Sequence, residues 1–270
     1  MGISRGAVGL LAMTLGGDLK RGRAVTFGVQ KIGAAASDIR HALKTHGFPV
    51  PAEAAGCGEE EIVSQDTLFA LLGYRRVDSI DYYPDEGPSL VLDLNLPLPP
   101  HVGGDFDLVY DGGTMEHCFN TVQLLRNAAY LTAPGGMVIH HVPMNNWVDH
   151  GFYQFSPTLF FDFYQASGFV DLEMKIHFMD GNQESYIAYD PARDPPLPYA
   201  LGGKKRVLAF FSARRSAESA FPTPTSLIQG RYRATFGGQD SGKSSIRKGL
   251  IQRLRASARK RFITWNATRL

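Results

Sequence analysis

The stretch from Phe106 to Pro143 decides the fold, and it reads FDLVYDGGTMEHCFNTVQLLRNAAYLTAPGGMVIHHVP. Its first five residues are an apolar run of the kind that forms a buried strand in a parallel sheet. Apolar residues at helical spacing follow over 120–131, and a Pro-Gly-Gly sequence at 134–136 predicts the end of that helix. A second strand is predicted over 137–142. Strand, helix and strand together make a βαβ unit.

Such a unit also predicts where a ligand binds. In parallel sheets, ligands bind beyond the carboxyl ends of the strands. We therefore expect a group of small and polar residues to lie near one rim of the sheet. This group is Asp111, Gly112, Gly113, Glu116, His117 and Asn145.

The segments FDLVYDGGTMEH and LTAPGGMVIHHVP resemble the fourth and fifth strands of the class I S-adenosylmethionine (SAM)-dependent methyltransferases. Residues 150–169, HGFYQFSPTLFFDFYQASGF, resemble a bacterial branch of that superfamily. The resemblance covers residues 24–212. It implies a Rossmann-like α/β fold, with a seven-stranded, mostly parallel sheet, helices on both faces and a late antiparallel hairpin.

The resemblance implies SAM as the cofactor. In the family, the first strand, here predicted over 23–29, leads into a glycine-rich loop under the methionine end of SAM. The loop in this chain is GVQKIGAAASD, which contains Gly28 and Gly33 but departs from the usual G-x-G-x-G. Gln30 offers an amide to the cofactor. Two interpretations stay open, a cofactor-binding loop and a junction that only turns the chain.

The next two strands carry the acidic residues that the family uses. Asp81 ends the second strand, predicted over 77–82, and matches the carboxylate that accepts hydrogen bonds from the two ribose hydroxyls, with Asp78 as the alternative. Asp93 matches the residue that faces the adenine amino group. Leu94 lies beside the adenine ring in this interpretation.

The loop after the fourth strand is predicted to serve both cofactor and chemistry. Asp111, Gly112 and Gly113 complete the predicted cofactor contacts. Methyl transfer needs the donor and the nucleophile in line, and often a base. His117 is the predicted base, because an imidazole titrates near neutral pH, and Glu116 would orient it. The alternative is that this Glu-His pair only caps a helix.

The loop over residues 144–157 follows the fifth strand and is rich in amides and aromatic residues. Loops of this kind often form pockets with specific polar contacts. Asn145, Asn146 and Tyr153 are the predicted substrate contacts. His150 is a further candidate for the catalytic group.

The sequence predicts no metal site. Five histidines fall within residues 117–177, but none has the short fixed spacing of known zinc motifs. His140 and His141 are adjacent on a strand and therefore point to opposite faces. Cys57 and Cys118 form no metal-binding pattern. A site assembled by the tertiary structure stays open.

The charge is unevenly distributed along the chain. The net charge is only +2, but residues 230–270 contain eleven Lys or Arg and one Asp, about +10, and leave about −8 elsewhere. We predict a methyltransferase-like domain over 1–215, and a linker with a basic amphipathic helical extension over 216–270. The extension either docks on the acidic domain or lies on an anionic membrane surface. Nucleic acid is disfavoured, because few aromatic residues interleave with the charges.

The predicted function is SAM-dependent methyl transfer to an oxygen or nitrogen of a small molecule or a glycan. The alternative is a degenerate methyltransferase fold that acts as a non-catalytic binding or scaffold protein. No apolar run reaches the length of a membrane helix. We therefore expect a cytoplasmic protein, with the inner face of the membrane as a peripheral location.

Overall fold

A single mixed sheet carries the fold of the chain, for which the structure is a computed structural model. The structure describes residues 2–16, 21–50, 63–191, 193–194, 196–198, 200–217, 224, 226–230 and 268–269. The predicted basic helix and most of the predicted linker lie outside the described residues.

The helices are α1 (Arg5–Leu15), α2 (Ala36–Thr45), α3 (Gln65–Leu71), α4 (Thr121–Leu131) and α5 (Pro157–Ala166). The strands are β1 (Arg21–Phe27), β2 (Tyr74–Asp81), β3 (Leu90–Val91), β4 (Phe106–Asp111), β5 (Thr132–Asn145), β6 (Phe169–Asp180), β7 (Gln183–Tyr189), β8 (Arg206–Arg215) and β9 (Thr268–Arg269).

The strand order is β3-β2-β1-β4-β5-β8-β6-β7-β9. The five strands from β3 to β5 in this order pair in parallel, and β8 pairs antiparallel with both β5 and β6. The predicted α/β fold with a late antiparallel hairpin is therefore confirmed. The hairpin partner β7 and the edge strand β9 extend the sheet beyond the seven predicted strands.

Two hydrophobic clusters cover the two faces of the sheet. Helices α1, α2 and α3 pack on one face, with Leu11, Leu43 and Leu68 buried there. Helices α4 and α5 pack on the other, where Leu125 and Phe160 are buried. The strands between them are buried on both sides, which explains why β1 and β4 read as apolar runs.

Two elements differ from their predicted bounds. The third strand, predicted over 89–94, spans only Leu90–Val91, because Asp93 accepts a hydrogen bond from the amide of Asn95 and turns the chain. The Pro-Gly-Gly sequence at 134–136 lies inside β5, at a shift in its register with β4. α4 already ends at Leu131, before that sequence begins.

Candidate functional site

The strand register brings three loops to one rim of the sheet. Phe27 at the end of β1 pairs with Asp111 at the end of β4, and Asp111 pairs with His140 of β5. The loops that follow β1, β2 and β4 therefore begin at the same level. This is the rim at which ligands bind in sheets of this type.

Gly28 opens the loop after β1 and has a left-handed backbone, with φ of 73°. Its amide donates to the carbonyl of Ile80 at 2.7 Å. A Cβ at this position would lie 3.0 Å from Oγ1 of Thr114, a hydroxyl that donates to the carbonyl of Phe27 at 2.7 Å. A glycine is needed here, because three strand ends meet around it.

Gln30 fills the space between the β1 loop and the β4 loop. Its Nε2 donates to the carbonyls of Phe27 and Gly28 at 2.8 and 3.2 Å. Its Oε1 is buried without a hydrogen-bond partner. A Cβ at Gly112 would clash with that oxygen, so the glycine permits the approach. A buried amide oxygen of this kind requires a donor, and a ligand can supply one.

Asp81 ends β2 and faces the β1 loop. Its Oδ1 accepts from the amide of Tyr82 at 2.7 Å, which holds the carboxylate in place. Its Oδ2 would lie 3.6 Å from a Cβ at Gly28. Asp93 instead accepts from the backbone and side-chain nitrogens of Asn95, both at 2.8 Å. Leu94 is buried in the hydrophobic core.

The side chain of Asp111 is used entirely inside the protein. It is completely buried, its Oδ1 accepts from the amides of Thr114 and Met115, and its Oδ2 contacts His140 at 2.8 Å. Asp111 therefore shapes the β4 loop, and its carboxylate does not face a ligand. Gly113, with φ of 98°, completes the turn.

Three predicted catalytic residues come together beyond β4. Oε1 of Glu116 lies 3.5 Å from Nε2 of His150 and 3.9 Å from Nε2 of His117. The Glu116 side chain is completely buried, and neither of its oxygens has a hydrogen-bond partner. His117 and His150 are 48% and 31% exposed, so they form the solvent side of the cluster.

The loop between β5 and α5 folds back onto Glu116 and carries His150 there. Gly151 makes the approach possible, since a Cβ would lie 2.8 Å from the carbonyl oxygen of Glu116. The amide of Phe152 then donates to that carbonyl at 2.8 Å. Asn146 and Asp149 both adopt left-handed backbones, with φ of 61° and 60°. Such strained residues concentrate at functional loops.

The electrostatics of the cluster follow from burial. Burial raises the pKa of Glu116 to about 8, and the nearby Asp111 adds to the increase. Burial lowers the pKa of His117, and the neighbouring His150 lowers it further. Burial also lowers the pKa of His150. Both imidazoles are therefore neutral at pH 7 and each has a nitrogen lone pair to offer.

The structure places the predicted substrate residues in two different regions. Nδ2 of Asn145 donates to the carbonyl of Leu201, and Nδ2 of Asn146 donates to that of Gly203. These two amides hold the turn before β8. The hydroxyl of Tyr153 donates to the carbonyl of Phe119 at 3.0 Å, so this residue joins the loop after β5 to the segment that follows His117.

Sequence reasoning missed several supporting residues. The ring of Trp147 packs on that of His150 at 4.8 Å between centroids, and its Nε1 donates to the carbonyl of Val207. The Tyr164 hydroxyl contacts Nε2 of His140 at 2.6 Å, inside the core. Of these features, only the glycine directly after His150, Gly151, could have pointed to a close approach of this loop from the sequence.

Comparison with known proteins found similarity among solved structures. No protein-family model and no curated protein matches the sequence. Among solved structures, the chain is similar to the 1,6-didemethyltoxoflavin-N1-methyltransferase of Burkholderia thailandensis. The identity is 13%, 78% of this chain and 77% of that chain are covered, and the TM-score is 0.38.

Two further structures have similar values. The N-methyltransferase NodS of Bradyrhizobium japonicum WM9 has 12% identity over 78% of this chain and 94% of its own, with a TM-score of 0.40. A possible histamine N-methyltransferase of Thermotoga maritima has 15% identity over 78% and 89%, with a TM-score of 0.40. These values do not bear on activity. The strand order and the antiparallel β8 agree with the Rossmann-like fold that the sequence resemblance implies.

Proposed function

We propose that the protein transfers the methyl group of SAM to a nitrogen or oxygen of a small organic molecule or a sugar. One observation carries the proposal. The ends of β1, β2 and β4 meet at one rim, where Gly28 lies between the carboxylate of Asp81 and the hydroxyl of Thr114.

The residues at this rim fit SAM by their hydrogen-bonding capacity. Among the described residues, no donor reaches Oδ2 of Asp81, so this oxygen is available to ribose hydroxyls. The buried Oε1 of Gln30 lacks a donor, which the ammonium group of SAM would supply. Gly28 and Gly112 keep side chains away from this space. NodS and the B. thailandensis enzyme have both been crystallised with S-adenosylhomocysteine bound.

The acceptor side is the cluster of Glu116, His117 and His150. Bound SAM would supply an electrophilic methyl group to the acceptor nitrogen or oxygen, with S-adenosylhomocysteine as the leaving group. His117 is half-exposed and neutral, so it takes the proton that the acceptor loses. Phe119 and Phe152 flank the two histidines in sequence, are exposed, and contact each other edge to face. They favour an acceptor with an apolar or ring-shaped part.

Calorimetric titration with SAM and with S-adenosylhomocysteine tests the cofactor site. The wild-type protein should bind both at micromolar concentrations, and Asp81→Ala should weaken binding at least tenfold. Asp85→Ala is the matched control, because Asp85 is an exposed carboxylate in the same loop region. Absence of wild-type binding at millimolar ligand would contradict the proposal and favour a non-catalytic binding protein.

His117→Ala tests the acceptor side in a screen of amino and hydroxyl acceptors. Turnover should fall at least a hundredfold while SAM affinity is retained, because the described contacts of the His117 side chain are with Glu116 and His150, and not with Gly28, Gln30 or Asp81. His101→Ala, another exposed histidine, should keep full turnover. Full turnover in His117→Ala would remove this residue from the mechanism.

A further inference from the structure

We propose that Glu116, His117 and His150 bind one divalent transition-metal ion of the zinc type. Each residue offers one ligand atom, and the three atoms all lie within 4.8 Å of one another. Two imidazole nitrogens and one carboxylate are a common ligand set for zinc and for non-haem iron(II). The spacing of these residues in the sequence matches no zinc motif, so only the tertiary structure assembles the set.

The distances suit a metal ion better than direct hydrogen bonds. Oε1 of Glu116 lies 3.5 and 3.9 Å from the Nε2 atoms of His150 and His117. Ligand atoms that surround zinc tetrahedrally, at about 2.1 Å from the ion, stand about 3.4 Å apart. The three ligand atoms lie within 4.8 Å of one another, so metal binding would draw the two partly exposed imidazoles closer together.

Three buried polar atoms of the cluster have no hydrogen-bond partner, and a bound cation would supply the missing interaction. Both carboxylate oxygens of Glu116 and Nε2 of His150 are buried without a hydrogen bond. In the described part of the chain, no Lys or Arg lies within ion-pair distance of Glu116. Buried polar groups are almost always satisfied, so three orphaned atoms at one point indicate a missing ligand. All three can coordinate a metal ion.

The backbone around the cluster is already organised for binding. The Phe152 amide and the close approach of Gly151 fix Glu116 against the loop that carries His150. The Trp147 ring packs on His150 and limits its movement. The exposed edges of the imidazoles leave one side of the site open. Three protein ligands and an open position are typical of catalytic rather than structural sites.

The consequence for catalysis rests on the proposed function, although the metal site itself does not. An ion at this position would take the acceptor oxygen or nitrogen at its open side. A bound cation lowers the pKa of the group that it coordinates, so the acceptor would release its proton to solvent near neutral pH. The cluster would then activate the acceptor through the ion, with His117 as a ligand.

Zinc titration of chelator-treated protein, followed by calorimetry, tests the site. We expect one Zn²⁺ per chain at micromolar affinity or better. Glu116→Gln, His117→Ala and His150→Ala should each weaken binding at least tenfold. His41→Ala removes an exposed histidine of α2 and should bind as the wild type does. No zinc binding by the wild type, or equal binding by all four variants, would overturn the inference.

Cobalt provides a second readout that does not depend on activity. Co²⁺-loaded wild-type protein should show the visible absorption of a four- or five-coordinate ion, and His117→Ala should lose or shift these bands. The His117 side chain is 48% exposed, so its replacement should disturb folding the least of the three substitutions. Unchanged bands in His117→Ala would remove this residue as a ligand and overturn the three-residue site.

A SAM titration of chelated and zinc-loaded protein separates the two proposals. Zinc binding without SAM binding contradicts the proposed function alone. SAM binding without zinc binding contradicts the metal site alone. Turnover that survives complete metal removal would leave His117 as a proton acceptor and overturn the catalytic role of the ion.

Discussion

Oδ2 of Asp111 lies 2.8 Å from Nδ1 of His140, and both side chains are completely buried. The other nitrogen of His140 lies 2.6 Å from the Tyr164 hydroxyl. This chain of contacts runs from the end of β4 across β5 to α5. It fixes the Asp111 carboxylate that also accepts from the β4-loop amides, and so supports the loop that carries Glu116.

Tyr164→Phe should destabilise the protein by about 1–3 kcal/mol, because it leaves a buried imidazole nitrogen without its partner. Urea denaturation measures the change. Tyr83→Phe is the control, since the Tyr83 side chain is 64% exposed and its hydroxyl can bond to water. Equal stability of the two variants would show that the His140–Tyr164 contact contributes nothing.

Gly151→Ala should disturb the cluster more than it disturbs the fold. The new methyl group would lie 2.8 Å from the Glu116 carbonyl oxygen and 3.0 Å from its Cγ, so the loop must move away. We expect a loss of stability of about 1–3 kcal/mol and a loss of zinc affinity. Gly103→Ala is the control, because its nearest contact would be 3.7 Å. A Gly151→Ala protein with native zinc affinity would contradict this account of the loop.

Glu116→Gln should change how stability depends on pH in chelator-treated protein. Burial raises the folded-state pKa of Glu116 to about 8, above its ordinary value of 4.5. The folded state therefore holds this proton more tightly than the unfolded state does. Wild-type stability should fall by about 1.4 kcal/mol per pH unit between these two pKa values. Below the lower value and above the higher one, Glu116 should add no pH dependence.

The Gln variant lacks this titration, so its stability relative to the wild type should increase from pH 5 to pH 8. Chemical denaturation at several pH values measures the difference. Parallel stability curves for the two proteins would mean that Glu116 ionises normally in the folded state.

Glu184→Gln should also change how stability depends on pH, but in the acidic range, because the pKa of Glu184 is lowered in the folded protein rather than raised. Burial alone raises the pKa of Glu184, but contacts with His177, Ser4 and the Gly6 amide outweigh it and lower the pKa below 4.5. The carboxylate thus stabilises the fold above about pH 4.5, and this contribution is lost as the pH falls through the folded-state pKa. The contacts of Ser4 and His177 with Oε2 are 2.6 and 2.9 Å long.

The variant should be less stable than the wild type by about 1–3 kcal/mol at pH 7, and the difference should narrow below pH 4. Thermal melts at the two pH values measure it. A difference that stays constant with pH would show that the contacts do not depend on the charge of Glu184.

Much of the sheet could be predicted from the sequence, because local chemistry determines it. The apolar run of β4 and the largely apolar residues 137–142 of β5 indicate buried strands, and Ser156 with Pro157 marks the start of α5. The opposite orientations of His140 and His141 follow from the two-residue repeat of a strand. In the structure they contact Tyr164 and His177, on opposite faces of the sheet.

Strand β7 and the short β3 could not be predicted, since their extents depend on pairing partners. β7 exists because β6 pairs with it over seven residues, and its sequence is too polar to indicate a buried strand. β3 pairs with β2 at only two positions before the Asp93 turn ends it. Hydrogen bonds between distant segments decide such elements.

The site divides in the same way. The sequence by itself determined that Asp81 ends a strand and that Glu116 and His117 follow one, because the apolar runs before them define those ends. Only the tertiary structure decided that His150 meets Glu116 and that the Asp111 carboxylate turns inward to His140. The physical reason is that burial, close approach at Gly151 and unpaired polar atoms arise between segments that are far apart in the chain.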